Sequence, residues 1–488
     1  MKKLLILILA VAMMLTVFAC AGRKDNGTTT TKPGSSEAPG SSEEPSKEVP
    51  DTTYDGRDFY ISMSQGMNYE FYQAEESTDV LESALYYRNL TVEDTAEIKI
   101  VPIYAEVGSD LYSHSNEIID AYYNEEQTYD ITATMVVASG RLITNNVLVD
   151  WNKQKYNDLD ASWWLSGAND AFSIYGSNYT AVGKTNISAL RMTYALMFNK
   201  TMGDAIQGLT DRIYDAIDNK SWTIDKLIEI SSGVYDDADD NPDRSAGDVY
   251  GFVAEDLTNL DVYNQAFGLT ILAPSDSDGL EFVYRSDRLV TAIDKVIDLY
   301  YNNGGSYIFS QAGGEGHSFV QGKALFATMR IETAIGGGLD TMEDVYTILP
   351  YPMLDEEQGE YYSGIMDNYT VMGIYALAPD YDFCSHITEL LNMEAETQLY
   401  PKYYDEALCK KYVTDERYVE MVNIVLNGRR FEAGTLFQDQ LARVAMMFRD
   451  VVRSKENVIT GYLDSVETTV KDSVADIVAQ YLEKQQEN

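Results

Sequence analysis

The chain of 488 residues carries 78 acidic against 36 basic side chains, a formal charge of −42, with 45% apolar and 11% aromatic residues. So acidic a surface repels phosphate backbones and anionic headgroups, which argues against nucleic acid as a partner and keeps the body of the protein off the membrane. The apolar content is that of a globular protein, and the length predicts two or three domains, each with a sizeable core.

Lys2 and Lys3 precede an apolar run, Leu4 to Phe18, interrupted by Thr16 and closed by Val17-Phe18-Ala19-Cys20. This is the pattern of an export signal with a lipid-attachment cysteine, and the run is shorter than the ~20 residues of a transmembrane helix. Residues 1–19 read as the signal peptide. Cys20 becomes the first residue, acylated (palmitate-type) on sulfur and nitrogen, because stable anchoring takes more than one acyl chain. Losing Lys2 and Lys3 moves the formal charge from −42 to −44. Residues 20–50 are rich in Thr, Ser, Gly, Pro and Glu, including Thr28 to Thr31 and two Gly-Ser-Ser-Glu units. Such a segment buries too little to order itself and predicts a disordered tether. Together these features place the protein on the outer face of the cytoplasmic membrane, held there by its lipid.

Past the tether, strand and helix patterns alternate. Phe59, Ile61 and Met63 alternate with mostly polar neighbours, and Ile98 to Tyr104 is a β-branched run interrupted at Pro102; both predict strands, the second at an edge. Strands are also predicted over Tyr129 to Met135 and Tyr194 to Phe198, and helices over Asn116 to Tyr123 and Ala205 to Ile217. Trp222 precedes Thr223, an N-cap for a helix from Ile224 to Ser231, and a strand from Val249 to Val253 follows an acidic loop. Leu289, Ile293, Val296, Ile297 and Tyr300 form one apolar stripe, as do Val466, Val470, Val474, Ile477, Val478, Tyr481 and Leu482 near the C-terminus. Tyr381 to Tyr400 and Tyr403 to Tyr412 read as helices broken at Pro401. Folded antiparallel, they leave Cys384 and Cys409 about 10 Å out of register, beyond the ~7 Å of a disulfide, which favours two buried free thiols. The alternation predicts an α/β protein with largely parallel sheets.

Enzyme signatures are sparse. His114, His317 and His386 are scattered, with no HExxH or GxSxG, and Gly183-Lys184-Thr185 lacks the first glycine of a phosphate loop, where Asn178 stands. Asp237, Asp239, Asn241, Asp243 and Asp248 occupy positions 1, 3, 5, 7 and 12 of a calcium loop. Pro242 replaces its turn glycine, and a solvated acidic loop is the other reading. Trp163 and Trp164 are adjacent on extended chain, so one is expected to pack inward while the other faces a cleft.

Several segments taken together resemble family 1 of the bacterial extracellular solute-binding proteins, the lipoprotein receptors of carbohydrate-type ABC importers. They are Tyr194-Ala-Leu-Met-Phe-Asn199-Lys200, Ser221-Trp222-Thr223-Ile-Asp225-Lys-Leu227, Asp248-Val-Tyr250-Gly251-Phe252, Phe319-Val-Gln-Gly322-Lys323-Ala324-Leu-Phe326 and Leu349-Pro350-Tyr351-Pro352. Tyr87-Arg88-Asn89, Trp163-Trp164 and the tract Tyr400 to Phe431 resemble a subgroup of that family from anaerobic Gram-positive bacteria. The resemblance implies a two-lobed periplasmic-binding-protein-like fold of type II, with a cleft between lobes joined by hinge strands. Lobe one is expected over 51–184 plus 369–427 and lobe two over 185–368 plus 428–488, with the hinge near Gly183 to Ala189 and Asp367 to Met372. It implies a monomeric binder, not an enzyme, that closes on a small ligand, an oligosaccharide or related polyol, and delivers it to ABC permease subunits. Met329-Arg330-Ile331-Glu332 stands where the family's sugar binders carry Asn-Gly-x-Trp; Arg330 and Glu332 either pair or face the cleft. Ser64, Gln65 and Thr134 lie at or just past strand ends of lobe one, where open α/β sheets hold ligands. A surface lipoprotein glycosidase, and a sensory or adhesion lipoprotein that kept the fold, are the alternative readings.

Overall fold

The computed structural model describes residues 49–487 except 65, 106–110, 240, 242, 276, 278, 337 and 410–415. The export signal, Cys20, nearly all of the tether and Gln65 therefore lie outside the described residues. In chain order the strands are β1 (Arg57–Met63), β2 (Ile98–Tyr104), β3 (Ile131–Met135), β4 (Tyr194–Asn199), β5 (Tyr235–Asp236), β6 (Val249–Glu255), β7 (Leu272–Ser275), β8 (Gly279–Phe282), β9 (Ser306–Phe309), β10 (Ala324–Arg330), β11 (Tyr346–Leu349) and β12 (Thr370–Ile374).

They form two main sheets. The first has the order β12-β3-β1-β2, with β1 parallel to β2 and β3 and β12 antiparallel to β3. Phe59, Ile61 and Met63 are buried on this sheet, and Pro102 sits on edge strand β2, where a missing N–H costs no ladder bond. The second has the order β11-β4-β10-β6-β5, with β9 also on β6. In it β9, β6 and β10 run parallel, while β4 runs antiparallel to both of its neighbours. A two-lobed α/β architecture follows, with helices packed on each sheet.

Local chemistry explains the second sheet's elements. Every residue of β4 is buried, and Asn199 at its end accepts the Met202 N–H at 3.0 Å, capping the helix Lys200–Ala205. Phe198 and Phe326 stack across β4 and β10 with centroids 5.2 Å apart. Trp222 is fully buried against Phe326 and donates its Nε1–H to the Pro350 carbonyl at 3.2 Å.

Four expectations are corrected. The helix over Ala205 to Ile217 is two helices, Lys200–Ala205 and Leu209–Asp218, because Gly208 adopts a left-handed φ of 65° that a continuous helix cannot contain. Thr223 makes no side-chain cap; its backbone bridges Met353 instead. Pro401 does not reverse the chain: the helix Tyr381–Glu394 continues through wide π turns, Ala395–Leu399 and Lys402–Cys409, geometry that absorbs a residue lacking an N–H. Cys384 is buried and free, its Sγ 3.7 Å from Asp130 Oδ1, while the Cys409 side chain lies outside the described residues.

The fourth concerns the partition of the C-terminal third. The helix Glu416–Asn427 packs on β11, in the second sheet. The helix Ile459–Glu487 begins near the helix Met447–Ser454, covers β8, and ends with Lys484 Nζ donating to the Ile143 carbonyl beside the first sheet. Each amphipathic helix covers whichever apolar face lies open, so the tail serves both sheets rather than one. Among the described residues no helix is long and apolar enough to cross a membrane. Replacing Trp222 by alanine is expected to cost about 3–5 kcal/mol, read as a lower urea midpoint at unchanged slope.

Candidate ligand-binding site

The carboxyl end of the first sheet is polar and already hydrogen-bonded. Ser62 Oγ and Ser64 Oγ each lie 2.8 Å from a ring nitrogen of His114, Nε2 and Nδ1 respectively. Burial pushes the His114 pKa down to about 4, so the neutral ring donates to one serine and accepts from the other. Thr134 Oγ1 lies 2.6 Å from Ser139 Oγ, which donates to the Met135 carbonyl and closes the first turn of the helix Val136–Thr144. Ser64 and Thr134 thus stand at the strand ends with their hydroxyls engaged.

The two segments that connect the sheets meet beside them. Ala181 bridges Met372 and Thr193 bridges Ile365, so the outgoing and returning chains run antiparallel. Glu70, fully buried, joins them. Its Oε1 accepts the Ser188 N–H of the outgoing segment, and its Oε2 accepts the Thr370 hydroxyl of the returning one at 2.5 Å. Arg88, also fully buried, donates to the Glu70 and Phe71 carbonyls at 2.9 and 3.3 Å and to Thr185 Oγ1 at 3.1 Å. Burial raises the Glu70 pKa to about 7, against the lowering effect of its hydrogen bonds to Ser188 and Thr370.

At the carboxyl ends of β6 and β10 the second sheet opens a cavity of about 450 Å³ lined by Glu255, Thr258, Asn259, Glu315, Arg330 and Thr333. Glu255 is committed to the turn that follows it, accepting the Leu257 and Asn259 N–H groups and the Thr258 hydroxyl. Arg330 and Glu332 pair at 2.8 Å, with Arg191 4.0 Å from the other oxygen of Glu332. Arg330 nevertheless lines the cavity, so pairing and facing the site coexist. Glu315 Oε2 and Arg330 Nε are buried there without hydrogen-bond partners, and burial raises the Glu315 pKa. These groups suit a ligand carrying several hydroxyls, which donate to a carboxylate and accept from a guanidinium. A larger cavity of about 730 Å³ runs along the helix Glu416–Asn427, among Lys220, Tyr361 and Asn423, and includes no strand end.

Other expected site residues lie elsewhere. Trp163 and Trp164 do not divide between core and cleft. Their indole N–H groups donate to the two oxygens of one carboxylate, Glu389, at 2.6 and 3.0 Å, and Asn157 adds a third donor at 3.0 Å. The irregular backbone lets neighbouring rings turn to the same side, which strict strand alternation would forbid. In the acidic loop Asp237, Asp239 and Asp248 converge, whereas the Asn241 side chain accepts the Asp243 N–H at 3.3 Å and closes a local turn. Glu70, Glu255, Glu315 and Glu389 were not singled out by the sequence; only Arg88, within Tyr87-Arg88-Asn89, carried a signal.

Glu70 makes stability depend on pH. Its ordinary pKa of 4.5 rises to about 7 in the fold, so the folded chain holds a proton that the unfolded chain releases. The contribution is greatest below pH 4.5 and is lost as pH rises through 7, amounting to about 3 kcal/mol. Glu70→Gln is expected to flatten the fall in melting temperature between pH 5 and 8, measured by calorimetry at half-unit steps.

No family model matches the sequence, and no curated protein matches it. Solved structures do match over nearly their whole length. A solute-binding protein of an ABC transporter from Thermotoga lettingae TMO, bound with alpha-D-tagatose, matches with a TM-score of 0.54 at 13% identity, over 87% of this chain and 100% of that one. A cyclic alpha-maltosyl-1,6-maltose binding protein from Arthrobacter globiformis matches at 0.56 and 13%, over 86% and 100%. An ABC substrate-binding protein from Listeria monocytogenes in complex with cycloalternan matches at 0.51 and 13%, over 87% and 98%. With two sheets, a double crossing between them and a cavity at the strand ends, the chain has the two-lobed α/β fold of the ABC-transporter solute-binding proteins.

Proposed function

We propose that this is a lipid-anchored, extracellular solute-binding protein of family 1 that captures a sugar or polyol between its lobes and delivers it, chemically unchanged, to an ABC importer. The observation that carries the reading is the 450 Å³ cavity at the carboxyl ends of β6 and β10, with Arg330 and Glu315 in its wall. It lies at the sheet end where open α/β folds bind ligands. The structural neighbours add chemical direction: one is bound with alpha-D-tagatose, one is in complex with cycloalternan, and one is a cyclic alpha-maltosyl-1,6-maltose binding protein. Ligand touching both lobes stabilises the closed state by its differential affinity, and the permease subunits read that state. Anchoring rests on Cys20 at the end of the export signal, and the tether holds the acidic body near its permease at high effective concentration. The protein acts as a monomer and makes or breaks no bond in the ligand.

A thermal-shift screen of the full chain against sugars, polyols, amino acids and peptides is expected to give a rise with one sugar or polyol and none with peptides. A ligand at a hundred times its Kd adds about 2.7 kcal/mol of stability. A shift with peptides alone overturns the ligand class, and recovery of a cleaved glycan overturns the non-enzymatic reading. Arg330→Ala is expected to weaken the same ligand about tenfold or more, by calorimetric titration, with the melting temperature of the free protein nearly unchanged. Cys20→Ser is expected to abolish incorporation of a palmitate analogue and release the protein from the membrane fraction.

A further inference from the structure

Asp237, Asp239 and Asp248 each bring a carboxylate oxygen within 4.8 Å of the other two. Asp237 and Asp239 are exposed, whereas Asp248, just before β6, has 0% exposure. Its Oδ2 accepts from the Ser245 N–H at 3.1 Å and from the Tyr250 and Tyr235 hydroxyls at 3.2 and 3.3 Å. Its Oδ1 is buried with no hydrogen-bond partner, although a buried carboxylate oxygen left unpaired is costly and native chains normally satisfy it.

Among the described residues of the loop no cation pairs with this cluster. Residues 236–248 contain six aspartates and one cation, Arg244, whose guanidinium stacks over the Tyr235 ring at 4.4 Å and donates to the Gly304 carbonyl. The backbone is shaped around the carboxylates. Ser245 Oγ donates to Asp239 Oδ2 at 2.6 Å and accepts the Gly247 N–H at 2.8 Å, and a Cβ on Gly247 would collide with the Asp239 carboxylate.

We propose that Asp237, Asp239 and Asp248 bind a calcium ion, with Asp248 Oδ1 as its buried ligand. The donor set is oxygen only, on a loop able to add backbone carbonyls and water, which suits the six to eight flexible ligands of calcium better than the strict octahedron of magnesium. Asp243 does not join the carboxylate cluster and the Asn241 side-chain oxygen accepts the Asp243 N–H, so the site uses positions 1, 3 and 12 of the spacing seen in the sequence. It stands at the amino end of β6, whereas the ligand cavity stands at the carboxyl end, about 20 Å away along seven residues. The ion stiffens the loop and the start of β6 without touching the transported ligand.

Tyr235 and Tyr250 make the site measurable, because tyrosines this close sensitise terbium luminescence. Chelator-treated full chain, titrated with terbium under tyrosine excitation, is expected to give saturable emission that excess calcium displaces and equal magnesium does not. Calcium at millimolar concentration is expected to raise the melting temperature by several degrees. Asp237→Asn, on an exposed side chain, is expected to weaken both responses at least tenfold while leaving the melting temperature in chelator unchanged, and Asp248→Asn to abolish them. Absence of emission and of any calcium-dependent shift in the wild type overturns the proposal. So does an Asp237→Asn variant that binds as tightly as the wild type, or a magnesium shift equal to that of calcium.

Discussion

Glu70 spends its two oxygens on two segments that are far apart in the chain, Ser188 on the way out of the first sheet and Thr370 on the way back. An acid with no exposed surface is costly to bury as a charge, so burial holds Glu70 toward its protonated form, with donors on both oxygens and the Arg88 guanidinium beside it. The rest depends on this arrangement. The crossings set where β4 and β12 begin, and those strands enter different sheets. If Glu70 slackened its hold, both sheets would persist as local structures while the two crossings between them lost their common anchor.

Buried acids recur in the structure, each with a different set of donors. Glu389 is also raised to about 7, by burial, yet it accepts two indole N–H groups and an amide N–H, and in doing so fixes the irregular chain around Trp163 and Trp164 to the helix Tyr381–Glu394. Glu255 organises the turn at the mouth of the cavity. A chain with so large a negative charge thus places part of it inside, as rigid acceptors for backbone and indole donors, and leaves the remainder to keep the surface solvated.

The parts legible in the sequence were those whose causes are local. β1, β2 and β4 follow from residue alternation and β-branched runs, and the edge position of β2 from Pro102. Where the reading failed, a distant partner or one special dihedral decided. Gly208 divides a helix because its φ is positive; Thr223 gives its backbone to Met353 instead of capping; π turns carry the helix through Pro401. Trp163 and Trp164 were expected to part, one inward and one to a cleft, because their common partner, Glu389, lies more than two hundred residues along the chain. Of the candidate site, Arg330 was legible because it stands at the end of a recognisable strand, while Glu315 was one acid among many.

What the sequence by itself determined is therefore the inventory: alternating strands and helices, a C-terminal amphipathic stripe, a cluster of aspartates at regular spacing. Side-chain period, capping chemistry and charge density act over a few residues and need no fold to be read. The tertiary structure alone decided which three aspartates converge, which carboxylate ties the crossings and which strand ends open a cavity. Those outcomes turn on the electrostatic cost of burying a charge, and that cost is set by groups 118 and 300 residues away, as for Glu70 with Ser188 and Thr370.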